Sequence, residues 1–345
     1  MITTFSHISE GVALAEGQES GILKIRSVVF GIMNNMYKTH EQNIEHFHRP
    51  SVEEMMQAET LPDILRLAGV EMEKLDPDLN LRTEMENSES NSVRDAKVAM
   101  VWAVKLADSY KDDDTRESLS DAELKRILCG LFYSDIGKTG SDFREGMSEE
   151  EKREQVKFFL DIFSVSNVAN RDMSMSEFFH TYRSEDAEER LERFASFGLD
   201  PNMTLRQFHN LHSHWTFDSL QNSGVPEDAI PPAALHHILE GQNPGKILAY
   251  DGEYTRDFNS NLSFGRGEML VIIMDKLDAI ITRGGKKDPV IAGEIAKKLI
   301  HSLIDNLQDQ QLKALMLFKR AEFDQLLVDV LKVVTQEEKS YAAAA

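Results

Sequence analysis

Apolar residues recur three and four positions apart through most of this chain, and strict apolar–polar alternation is scarce. The first pattern gathers apolar side chains on one face of a helix, whereas the second would gather them on one face of a strand. An all-α, mainly helical fold is therefore expected. Ile25, Val28, Val29, Ile32, Met33 and Met36 make one such face, and Ala96, Ala99, Trp102, Ala103 and Leu106 make another. Leu124, Ile127, Leu128 and Leu131 follow Ser120 and Glu123, which read as a capping box: a hydroxyl and a carboxylate satisfy each other's backbone N–H groups at a helix start. Ser51 with Glu54 and Ser148 with Glu151 repeat that signal. Further helices are expected over 191–197, 205–220, 232–239, 268–282, 290–307 and 311–337. The stretch 76–92 is polar and holds Pro77, so it reads as a linker, with a domain boundary near residue 85. The expected organisation is an N-terminal helical module over 1–85, a second domain over 86–310 and a helical extension over 311–341.

Charge narrows the function. The 345 residues carry 59 acidic against 38 basic side chains, a formal net charge of −21. That opposes DNA or RNA binding, which draws its affinity from cations on phosphates. A small anion in a local pocket of metal, lysine or helix N-termini remains compatible with it. No run approaches the roughly 18 apolar residues of a membrane span, and the N-terminus lacks the basic and apolar regions of a signal peptide. A cytoplasmic location is expected. The single cysteine, Cys129, lies in an apolar helical run and reads as a buried thiol.

Histidines and acids point to chemistry. On the helix expected over 205–220, His212 shares a face with Leu205, Phe208 and Trp215. Taken alone it reads as a core histidine bonded to a neighbour. His236 and His237 are adjacent, so on a regular helix they diverge by about 100°; both reach one site only if it lies across the seam between them. Asp275 sits in a helix that is apolar on nearly every side, where a carboxylate is costly unless paired or bound to a metal. Asp278 lies one turn on, and an ion pair of either aspartate with Arg283 is the simpler reading. Asp135 and Lys138 belong to the turn FYSDIGKTG, where Lys138 would otherwise serve as a helix-end cation. Asp135, His212, His236, His237 and Asp275 together offer nitrogen and oxygen ligands suited to Fe, Mn, Zn or similar ions.

In this order the segments resemble the HD-GYP family, the cyclic-di-GMP phosphodiesterase branch of the HD superfamily. SDIGKTG is similar to the family's HDIGK-x-G, HHILEGQNP to HHE-x-x-x-G-x-G-Y-P, and MDKLDAIITRGGKKDP to V-D-x-F-D-A-L-T-x-x-R-P-Y-R. MSEEE and the helix carrying His212, Thr216 and Leu220 resemble two further motifs, and the likeness spans about residues 88–305. It implies an HD-type helical bundle holding divalent metal next to the phosphate of a cyclic dinucleotide. Asp135, His212, His236, His237 and Asp275 would be ligands, Asp135 and Lys138 would act in catalysis, and Lys138 and Arg283 would contact substrate. The departures are as informative. Ser134 stands where the family has the histidine of its HD pair, and Asn91 where it has an earlier histidine. Ile238 replaces the glutamate of HHE, and Gln242, Asn243 and Pro244 replace GYP. By ligand counting, one metal position keeps only Asp135 and Asp275, too few to hold an ion well. The other keeps Asp135, His212, His236 and His237. The resemblance thus implies fewer ions than a complete site, in a slow phosphohydrolase acting on a cyclic dinucleotide or other small phosphoester. The alternatives are a non-catalytic cyclic-dinucleotide receptor or signalling scaffold with protein partners, and a chain whose function lies in the N-terminal module. An apolar face on the C-terminal helix would allow a homodimer.

Overall fold

The computed structural model describes residues 47–165, 168–256, 258, 262–286 and 288–344; side chains are described as far as Thr335, except that of Arg283. Residues 48–345 form one compact unit. The helical face expected over 25–36 lies outside the described residues.

Thirteen α-helices carry the described chain: α1 Val52–Gln57, α2 Leu61–Leu67, α3 Pro77–Glu89, α4 Ser92–Lys111, α5 Asp121–Tyr133, α6 Glu149–Phe163, α7 Met175–Tyr182, α8 Ala187–Ser196, α9 Leu205–Leu220, α10 Ile230–Ala234, α11 Arg266–Asp278, α12 Pro289–Asn306 and α13 Gln310–Ala344. Among the described residues there is no strand, only three isolated β-bridges, so the fold is all-α as the periodicity predicts. No described helix is long and apolar enough to cross a membrane. Full capping boxes open α1 and α6 at Ser51 and Ser148. At α5 Ser120 accepts from the Glu123 N–H, but the Glu123 carboxylate is drawn away to Arg266.

The helix at the centre is α11. Met269, Leu270, Val271, Ile272, Ile273 and Met274 are all fully buried, because α4, α5, α10, α12 and α13 pack around it. A helix apolar on every side needs such a shell. A second core is aromatic: Phe158, Phe159, Phe178, Phe179, Phe194, Phe208 and Trp215 join α6, α7, α8 and α9. There α9 uses the face predicted from Leu205, Phe208 and Trp215.

The linker expected over 76–92 is instead the helix α3. Asp76 caps it and Pro77 occupies its first turn, where a missing N–H costs nothing. Its buried side includes Leu79, Leu81 and Met85 but also Arg82, Thr83 and Glu86. Buried polar residues erase the apolar stripe on which a periodicity argument depends. Tertiary partners hold α3 in place: it packs on α4, on α6 and on the turn at 136–139.

Candidate metal centre

The stretch FYSDIGKTG ends α5 and continues as a tight turn over Ile136–Thr139. The turn is clamped from two sides. On one side Gly137 N–H donates to Thr216 Oγ1 at 3.1 Å, and that hydroxyl donates to Ser134 O at 3.0 Å. A Cβ on residue 137 would lie 1.9 Å from His212 O, so only glycine lets the turn approach α9 this closely. On the other side the buried Arg82 of α3 donates to Thr139 O, Thr139 Oγ1, Gly140 O and Ser141 O at 3.2, 2.9, 3.0 and 2.7 Å. Burial pulls its guanidinium down to about 10, against the charges of Asp142 and Asp78, and the carbonyls and the Thr139 hydroxyl take up its donors. Asp135 is thereby fixed against His212, its Oδ1 3.7 Å from His212 Nε2.

His236 and His237 reach the same point because the helix expected over 232–239 breaks. Only Ile230–Ala234 is α-helical, and a separate 3₁₀ turn, Ile238–Glu240, follows. With the regular 100° step interrupted, both rings face inward, their centroids 4.2 Å apart and 5.0 and 4.8 Å from that of His212. One ligand nitrogen from each of the three lies within 4.8 Å of the others.

Each imidazole is oriented through its other nitrogen. His212 Nδ1 meets His209 O and His236 Nδ1 meets Ala233 O at 2.6 Å, whereas His237 Nδ1 lies between the Lys276 ammonium at 3.1 Å and Glu240 Oε1 at 3.2 Å. An oxygen acceptor at Nδ1 places the hydrogen there and leaves the lone pair on Nε2. For His212 and His236 those lone pairs face each other across 3.0 Å, an arrangement that repels unless a proton or a cation stands between them. Burial, reinforced by neighbouring positive charge, pushes His212 well below the ordinary imidazole range and His236 to about 3, so neutral, ligand-competent rings are favoured. Metal–nitrogen bonds of about 2.0–2.1 Å imply ligand spacings of about 3.0–3.4 Å, and this pair stands at that spacing. The three-histidine cluster could therefore hold a divalent transition metal.

The remaining predicted residues divide. Lys138 pairs with Asp135 Oδ2; burial would raise the Asp135 carboxyl, but Lys138 holds it below its usual range. Asp275 lies close enough for its charge to act on Asp135 and His236, yet it pairs with Lys276, at 3.0 Å. Asp278 accepts from Thr282 Oγ1 at 2.7 Å. The Arg283 side chain lies outside the described residues. Ser134 turns its hydroxyl back to Leu131 O at 3.0 Å, and Asn91 is exposed at the start of α4.

Three residues at the site escaped the sequence. Glu86 of α3 is buried, and its Oε1 has no hydrogen-bond partner. Burial and the nearby Asp135 push its carboxyl up to about 8, against the pull of Lys138. Glu240 and Lys276 form a buried pair at 2.9 Å behind His237. None of the three has a motif signature: a lysine and two acids in helical segments read as solvated until their partners are known. No protein-family model matches this chain, and neither the curated proteins nor the solved structures contain a significant match.

Proposed function

We propose that the chain is a metal-dependent phosphohydrolase of the HD-GYP type, reduced in its ligands and acting slowly on a cyclic dinucleotide or related small phosphoester. The observation that carries the proposal is a cluster of three histidines with ligand nitrogens within 4.8 Å of one another, two of which, His212 and His236, have Nδ1 against backbone carbonyls and Nε2 turned inward, with Asp135 3.7 Å from His212 Nε2. His212, His236, His237 and Asp135 would hold the ion. When bound, a divalent metal at such a centre acidifies water and neutralises phosphoryl charge. Lys138, three residues from Asp135 and paired with it, is placed to release that carboxylate and hold a phosphoryl oxygen as a point charge. Glu240, 3.2 Å from His237 Nδ1, would accept the hydrogen there in the tautomer that frees Nε2 for the ion.

A second reading, a receptor that binds the nucleotide without cutting it, draws on Ser134 and Asn91. Neither supplies a ligand: one hydroxyl is spent on Leu131 O and the other side chain is exposed. Metal content of protein purified without chelator, followed by turnover of cyclic-di-GMP with added manganese or iron, separates the two. About one ion per chain with turnover supports the hydrolase, and binding of the nucleotide without turnover supports the receptor. Protein that takes up neither metal nor nucleotide, and whose stability is unchanged by His236→Ala, refutes both.

A further inference from the structure

Asp135 and Asp275 lie close enough to the three imidazoles for their charges to act on His236, and two-metal sites hold their ions only about 3.5–4 Å apart. Here a side chain stands in the way. Lys276 is 5% exposed. Its Nζ lies 3.0 Å from Asp275 Oδ2, 2.9 Å from Glu240 Oε1 and 3.1 Å from His237 Nδ1. An ammonium carries only donors. The ammonium thus donates to His237 Nδ1 as well as to the two carboxylates; binding of an ion by His237 Nε2 would put the hydrogen on Nδ1 and leave the two carboxylates as the partners of Lys276. A buried ammonium is tolerated only with such partners.

We propose that Lys276 is a built-in cation that takes the place of a second metal ion, claiming Asp275 and limiting the centre to one ion held by His212, His236, His237 and Asp135. The inference rests on the metal-centre reading above and adds a count to it. Coordination of a further ion by Asp275 would bring a divalent charge against the ammonium and pull Asp275 away from Lys276. Electrostatic repulsion at about 3–4 Å in a poorly screened interior disfavours that strongly. Lys276 also bridges α11 to the turn at Ile238–Glu240, so it positions His237 through Glu240 while it neutralises Asp275.

The test counts ions. Wild-type protein, Lys276→Met, Lys276→Gln and Lys276→Arg are stripped of metal and titrated with manganese. Stoichiometry is read by native mass spectrometry and spin coupling by electron paramagnetic resonance. One uncoupled ion is expected in the wild type and in Lys276→Arg. A second ion, coupled to the first, is expected in Lys276→Met or Lys276→Gln, where the ammonium no longer claims Asp275 and Glu240. One ion in every folded variant would overturn the inference and leave the metal centre standing. Two coupled ions in the wild type would overturn it as well, a result obtained without any variant having to fold. No manganese bound by the wild type would refute both the inference and the metal-centre reading.

Discussion

Replacing Arg82 by methionine tests whether α3 is a structural clamp or a linker. The side chain is 3% exposed and donates to three backbone carbonyls and one hydroxyl. Two of those acceptors keep a role after the substitution: Ser141 O still receives Gln155 Nε2 at 2.8 Å, and Thr139 Oγ1 still donates to Ile136 O at 2.6 Å. Thr139 O and Gly140 O lose the guanidinium as donor. An orphaned buried carbonyl costs about 1–3 kcal/mol. Methionine fills much of the volume, and removing a guanidinium that burial disfavours returns part of the loss. The net expectation is a destabilisation of about 2–4 kcal/mol. Urea unfolding followed by far-ultraviolet circular dichroism measures it, with Arg82→Lys as an intermediate case because a point charge cannot fan across several carbonyls. A loss below about 0.5 kcal/mol, the range of exposed positions, would refute the clamp and restore the linker reading.

Other perturbations follow from the same contacts. Gly137→Ala drives a Cβ into the His212 carbonyl; it should destabilise by about 1–3 kcal/mol or more and weaken manganese binding measured by calorimetry. Glu86 is neutral in the folded state below about 8 but ionises near 4.5 when unfolded. The unfolded chain then binds fewer protons, so stability should fall as pH rises from about 4.5 to 8, by at most about 5 kcal/mol. Denaturation across that window should show a shallower slope in Glu86→Gln, and an unchanged slope would exclude the buried neutral acid. Asp329 accepts from Tyr110 at 3.1 Å and Arg116 at 2.9 Å, tying α13 to the body. Asp329→Ala should cost about 2–4 kcal/mol, seen as a lower thermal midpoint, whereas an unaltered midpoint would mean that α13 is held by apolar packing alone.

Local signals in the chain are enough to set the helical class. They are the spacing of apolar residues and the serine–glutamate pairs at helix starts, and Ser51, Ser148 and the α9 face of Phe208 and Trp215 obey them in the structure. The histidines and Asp135 also stand out in the sequence, because polar groups on apolar faces are costly without a purpose. The rest depends on packing. Whether His236 and His237 converge depends on where a helix stops, and that is set by the packing of α10 between α5, α9 and α11. Whether 76–92 is linker or helix depends on Arg82 and Glu86 finding buried partners and neighbours far along the chain. Asp275 reads as a ligand, or as a partner of Arg283, because its helix is otherwise apolar, yet Lys276, the next residue, turns to the same side and pairs with both Asp275 and Glu240. Periodicity reports which side chains prefer to leave water. It is silent on which charged groups meet once they have left, since that energy arises from distances fixed only when the helices are packed.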